Sequence, residues 1–139
     1  GAGEKLANLR ILCELKSINL YRFIGTINRI TTAGALGAHG VIPGLGNFVP
    51  KLASLGWEAG ERYDTESMHK YDSMLTSATK ISSLANGGSP QSSSISGMKS
   101  ALKIMGVIDH DTVTKPMRPL TQEEKHSIPG LINSLGLSY

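Results

Sequence analysis

Four histidines (His39, His69, His110 and His126) and one cysteine, Cys13, have the widest chemical repertoire in this chain. No two histidines stand at metal-ligand spacing and no cysteine cluster joins them, so the pattern predicts no zinc site. Cys13, in the run LRILCELK, reads as a small apolar packing residue; being alone, it forms no internal disulfide and suits a reducing compartment. The opening GAGEK lacks the spacing of a phosphate loop, Gly44-Leu-Gly46 lacks the third glycine of a dinucleotide fingerprint, and no serine sits in a nucleophile elbow. Lys5, Lys51, Lys99 and Lys103 fall on helical stretches and read as solvated charges rather than amine nucleophiles. What stands out instead is glycine at the ends of short apolar runs. Gly25 stops the run LYRFI, and Pro43-Gly44-Leu45-Gly46-Asn47 leaves a second run, with glycines free to take φ > 0 beside a bound ligand.

The elements that position these residues follow from periodicity. Leu20–Ile24 is too short for a helix and fits a buried strand, and Gly40-Val41-Ile42 fits a second. Between them Ile30–Ala38 is mostly small residues, expected as a helix lying close on a sheet although Ile30, Thr31 and Thr32 weaken its propensity. Strand, helix and strand within 25 residues or so make a βαβ unit, the building block of parallel sheets. Lys5–Leu15 predicts a helix with Leu6, Leu9 and Cys13 on one stripe and Leu12 beside it. Pro50 is placed to open a helix over Lys51–Ala59 carrying Leu52, Leu55 and Trp57. Asp64 is a candidate N-cap for a long helix through Met68, Tyr71, Leu75, Ala78 and Leu84, with Glu66 suiting its dipole. Asn86–Ser94 (NGGSPQSSS) reads as a flexible loop, and Ile95–Met105 as a helix with Ile95, Met98, Leu102 and Met105 recurring, closed by Gly106. Lys115–Pro119 is expected extended, Thr121-Gln-Glu-Glu124 is a capping box, and Pro129-Gly130 should break the last helix.

Bulk properties bound the function classes. At 139 residues one domain is the natural expectation, and the chain is too short to close an eight-strand barrel, which needs roughly 250 residues. A hydrophobic content of 40% with 18% charged residues argues against disorder. The net charge of +3 is scattered, without a basic run or interleaved aromatics, so nucleic-acid binding gets no support. No apolar run reaches the roughly 18 residues of a membrane helix and no signal peptide is visible.

Three ordered blocks, GALGAHGVIPGLGNFVPK, SGMKSALKIMGVID and KPMRPLTQEEK, resemble the C-terminal part of the dihydrodipicolinate synthase and N-acetylneuraminate lyase family, pyruvate-handling class I aldolases on a (β/α)8 barrel. The resemblance runs from about Gly3 to Leu137. It implies an α/β fold: the last two strands of a TIM barrel with covering helices, followed by a C-terminal helical extension. Residues 1–60 would hold a helix, strand 7, a helix, strand 8 and the start of helix 8; residues 61–139 would be the helical region, with its flexible loop at 86–94. In such enzymes the Schiff-base lysine ends strand 6. The opening GAGEKLANLRIL resembles the helix after that strand, so the lysine is expected just before Gly1, and no catalytic residue is expected in this chain. The family's proton-relay tyrosine and carboxylate-gripping threonines belong to earlier strands.

Further implications come residue by residue. Gly25 matches the strand-7 glycine whose backbone lies near bound pyruvate; its alternative is an ordinary turn glycine. Ile42 matches a strand-8 isoleucine walling the lysine, where a buried apolar side chain would desolvate the amine and lower its pKa; its alternative is barrel core. Asn47 closes the same motif and reads as loop structure ahead of ligand contact. Thr26 and Ile27 stand at the pocket rim, where the sialic acid lyase branch carries an acidic pair. Ile27 accepts no hydroxyl hydrogen bond, which disfavours a polyhydroxylated sugar acid and leaves a shorter aldehyde open; the resemblance implies Schiff-base condensation or cleavage of pyruvate with an aldehyde, like 4-hydroxy-tetrahydrodipicolinate synthase or like 4-hydroxy-2-oxoglutarate aldolase. The resemblance implies pyruvate and a small aldehyde as partners, no cofactor, no metal and a homotetramer. A cytoplasmic location is expected, or a mitochondrial one if a transit peptide precedes the chain. Two alternatives from other classes are a non-catalytic relic serving as an interaction or assembly module, and a small-molecule binding module without covalent chemistry.

Overall fold

A computed structural model describes residues 1–137. The chain divides into two compact units, Gly1–Thr76 and Ser77–Tyr139. Among the described residues helices predominate, and the strands form one two-stranded parallel sheet, in the first unit.

In the first unit α1 (Ala2–Leu15) precedes β1 (Phe23–Ile24) and β2 (Gly40–Val41), followed by α2 (Pro50–Glu61) and α3 (Thr65–Ala78). The α/β expectation is met in the parallel pairing of β1 with β2. Both strands are shorter than the apolar runs suggest, and of LYRFI only Ile24 is buried. Leu6, Ile24 and Ala33 form one cluster of the unit's core, with Leu36, Val41 and Trp57 packed against them. On α1 only Leu6 and Cys13 are buried; Leu9 and Leu12, expected on or beside the same stripe, are exposed. Ile30–Ala38 is not an α-helix. A 3₁₀ turn at Ile27–Arg29 runs into successive turns that bury Ile30 and Ala33 completely, as the β-branched and glycine content favours. The segment is tied to α3 by the Thr31 hydroxyl, which donates to Asp72 Oδ1 at 2.8 Å. Pro50 does open α2, and Asp64 Oδ1 accepts the Ser67 N–H at 3.1 Å at the start of α3.

The second unit holds a 3₁₀ turn (Thr79–Ser83), α4 (Pro90–Ile104), α5 (Gln122–Lys125) and α6 (Ile128–Ser134). The long helix expected through Leu84 thus changes to 3₁₀ after Ala78. The expected loop over Asn86–Ser94 is shorter than its composition suggests. Ser89 is an N-cap whose hydroxyl accepts the Ser92 N–H, Pro90 is at the helix start, and Pro90–Ser94 form the first turn of α4. The face α4 buries is Ser93, Ser96, Gly97, Ser100 and Ala101, while Ile95, Met98, Leu102 and Met105 stay partly exposed. Gly106 closes α4 with a φ of 73°. The stretch expected extended begins instead in a turn, with a cis peptide at Lys115-Pro116. Thr121 and Glu124 form the capping box, and the last helix breaks just ahead of Pro129.

Candidate functional site

Parallel register brings the C-terminal ends of β1 and β2 to one edge. Phe23 pairs with Gly40 and Ile24 with Val41, and the ladder continues for one bond beyond the strands, Ile42 N–H donating to Ile24 O at 2.9 Å. The residues leaving the strands, Gly25 and Ile42, are therefore neighbours: a Cβ placed on Gly25 would lie 3.6 Å from Ile42 O, ordinary van der Waals contact. Gly25 has no positive φ. Neither backbone conformation nor local crowding demands glycine at this position.

The two positions differ from the others expected at the rim. Gly25 is exposed, Ile42 is 70% exposed, and Thr26 is half-buried. Ile27 turns inward, 8% exposed, as part of the unit's own core rather than its rim. Asn47 ends a 3₁₀ turn (Gly44–Asn47) and its Nδ2 donates to Gly44 O at 2.8 Å, so its side chain is used by the loop. Gly44 and Gly46 sit in that turn without positive φ, against the expectation from their composition. Among the described residues nothing covers Ile42, so desolvation of an amine at its side chain needs further surface. A shallow cleft of about 300 Å³ opens beside Gly25, lined by Lys5, Leu6, Leu9, Phe23 and Ile24.

The opposite end of the pair is held by His39. Arg22 N–H donates to His39 Nδ1 at 3.1 Å, His39 N–H donates to Arg22 O at 2.7 Å, and Arg22 Nε donates to Gly37 O at 2.8 Å. Gly37, with a φ of 95°, provides the turn this requires. His39 thereby has a structural use. Among the described residues no group of three or more His, Cys, Asp or Glu could hold a metal ion, and no helix is long and apolar enough to cross a membrane.

Sequence reasoning missed two charged clusters in the second unit. Arg118 binds Glu124 through both terminal nitrogens at 2.7 and 2.8 Å, and Glu124 also accepts the N–H groups of Asn86 and Thr121. The Arg118 fork, helped by those backbone donors, holds the Glu124 carboxyl well below the usual carboxylate range. Asp111 is buried and accepts from Lys125 Nζ at 2.6 Å, Ser100 Oγ at 3.0 Å and Lys103 Nζ at 3.3 Å. Lys125 above all, then Ser100 and Lys103, hold its carboxyl far below the usual range, against the opposing effect of burial. Lys103 is thus paired, and Lys99 Nζ donates to Thr112 O at 2.6 Å, where both had read as solvated charges. Their partners lie 8 and 13 residues away with no periodic signal.

The chain resembles the structure of dihydrodipicolinate synthase from the commensal bacterium Bacteroides thetaiotaomicron, with a TM-score of 0.74 and 24% identity, over 82% of this chain and 37% of that one. At that identity the likeness establishes the fold, and the chain spans 37% of that structure's length. No curated protein matches the chain. The model of the Dihydrodipicolinate synthetase family matches residues 2–135, from the start of α1 to the end of α6. The chain therefore belongs to the dihydrodipicolinate synthetase family.

Proposed function

We propose that this chain is the C-terminal part of a pyruvate-dependent Schiff-base lyase or aldolase, in which β1 and β2 are the last two strands of a (β/α)8 barrel. The reading is carried by one observation: the register sets Gly25 and Ile42 side by side at the C-terminal strand ends, open to solvent. Barrel enzymes build their sites at that end. Gly25, which the fold itself does not require to be glycine, leaves room for pyruvate next to the backbone. Ile42 is the wall against a lysine amine that residues preceding Gly1 supply. Excluding water there lowers the amine's pKa and frees its lone pair for attack.

The reaction then proceeds through the lysine. Its nitrogen adds to the pyruvate carbonyl, water leaves, and the resulting iminium draws electrons from the methyl carbon, which loses a proton to give an enamine. The enamine carbon adds to the aldehyde carbonyl, and hydrolysis of the new iminium releases product and lysine; cleavage runs the same steps backwards. With Ile27 turned into the core, Thr26 is the polar side chain beside Gly25, which suits a short aldehyde in preference to a sugar.

Borohydride reduction of the native protein from its source in the presence of pyruvate, followed by intact mass and peptide mapping, tests the reading. A reduced adduct on a lysine N-terminal to Gly1, in a polypeptide longer than this chain, supports it. A polypeptide of this length with no adduct refutes it in favour of a non-catalytic assembly module. Where an adduct forms, Gly25→Ala should leave the melting temperature unchanged, since the added methyl makes only ordinary contact, yet slow pyruvate trapping.

A further inference from the structure

The second unit carries an open cleft of about 490 Å³ whose lining includes Lys103, Asp111, Gln122, Lys125 and His126, none of them used by the proposed chemistry. We propose that this cleft is a binding site for a small oxyanion, with Lys103 and Lys125 as its main donors and Gln122 and His126 at its margin.

Charge balance carries the argument. Among the described residues Asp111 is the only acidic one lining the cleft, and it faces two ammonium groups, so this lining carries one unbalanced positive charge. One ammonium is enough to balance one carboxylate, and Asp111, in the segment between α4 and α5, has one from each helix, Lys103 and Lys125. Here a second lysine is drawn to the same group, and it is the carboxylate that lets two cations sit together without repulsion. Each ammonium has three donors, and the structure gives each one partner among the described residues, Asp111 Oδ1 for Lys103 and Oδ2 for Lys125. The Lys125 side chain is only 18% exposed, which limits what bulk water can offer its remaining N–H groups. A bound oxyanion meets them with charge-assisted bonds. Ser100 Oγ, donating to Asp111 Oδ2 at 3.0 Å, fixes the carboxylate and so preorganises both lysines. Ile104 and Pro129 also line the cleft, giving a short carbon chain apolar contact. The shared chemistry is therefore a phosphate or a small organic carboxylate.

The test is titration of the full chain at low ionic strength and neutral pH with inorganic phosphate and, separately, with succinate, followed by calorimetry and by amide chemical shifts. We expect saturable binding to at least one of them, with shifts centred on residues 100–129, and affinity about tenfold weaker in Lys103→Gln. Lys103 is half-exposed and keeps its stem in that variant, so the fold survives the change. Saturation by phosphate alone identifies a phosphoryl ligand; saturation by succinate alone identifies a carboxylate. A linear response to both anions, or saturable binding that Lys103→Gln leaves unchanged, overturns the proposal.

Discussion

At the residue scale, three glycines that look alike in sequence have opposite consequences. A methyl on Gly97 of α4 would run into the carbonyl oxygen of Ile81, and one on Gly60 of α2 into that of Thr31; in both cases the obstacle is backbone, which cannot rotate away. Gly130 of α6 meets nothing within 4 Å and has no positive φ. Alanine gains up to about 1 kcal/mol over glycine in a helix. Overpacking against a fixed neighbour costs about 1–3 kcal/mol, more than that gain at its upper range. Gly97→Ala and Gly60→Ala should therefore lower stability, whereas Gly130→Ala should raise it by less than about 1 kcal/mol. Urea denaturation of the three variants against the parent checks the sign of each.

At the element scale, the second unit is held at both ends of its connections by buried or half-buried charge. Asp111 and Glu124 have folded pKa values below those of free carboxylates, so each stabilises the fold at pH above its unfolded value. That contribution begins to fade near pH 4, the ordinary carboxylate value, and is lost as pH falls toward the depressed folded values. Thermal melts should thus show stability flat from neutral pH to about 5 and falling steeply below about 4, with a shallower acid slope in Asp111→Asn. At the start of α4, Ser89→Ala should cost about 1 kcal/mol, read in the same melts. These elements also divide what sequence can disclose. The Thr121–Glu124 capping box is legible because both partners lie within one turn. The buried face of α4 is not: Ser96 is buried because its hydroxyl donates to Arg118 O at 2.7 Å, and Ser100 because it reaches Asp111, partners that no helical period encodes. Hydrophobic spacing therefore points to the wrong side of α4. The edge bearing Gly25 and Ile42 is legible because glycine and apolar runs mark strand ends locally, whereas the inward turn of Ile27 depends on a 3₁₀ turn at Ile27–Arg29 and on the irregular segment Ile30–Ala38, which composition reads as a helix.

At the scale of the whole molecule, the first unit leaves a large apolar surface uncovered. Leu12 and Leu15 of α1 are exposed, as are Tyr21 and Phe23 along the first strand segment and Ile42 after the second. A two-stranded sheet is marginal by itself, and each of β1 and β2 has one edge unpaired. Exposed side chains of this size favour burial by about 1.5–3 kcal/mol each. Partial burial of a few of them at a contact would therefore offset much of the cost of association, which is of the order of 4–15 kcal/mol. The isolated chain should consequently self-associate: sedimentation velocity should show species larger than monomer, increasing with loading concentration, or material lost to pelleting. Leu15→Lys, a change at the most exposed of these residues (76%), should shift the distribution toward monomer without lowering the melting temperature, because Leu15 is not in the core. A concentration-independent monomer that melts cooperatively would mean that these side chains are tolerated in water, and the barrel reading would then lose its physical need for the rest of a sheet.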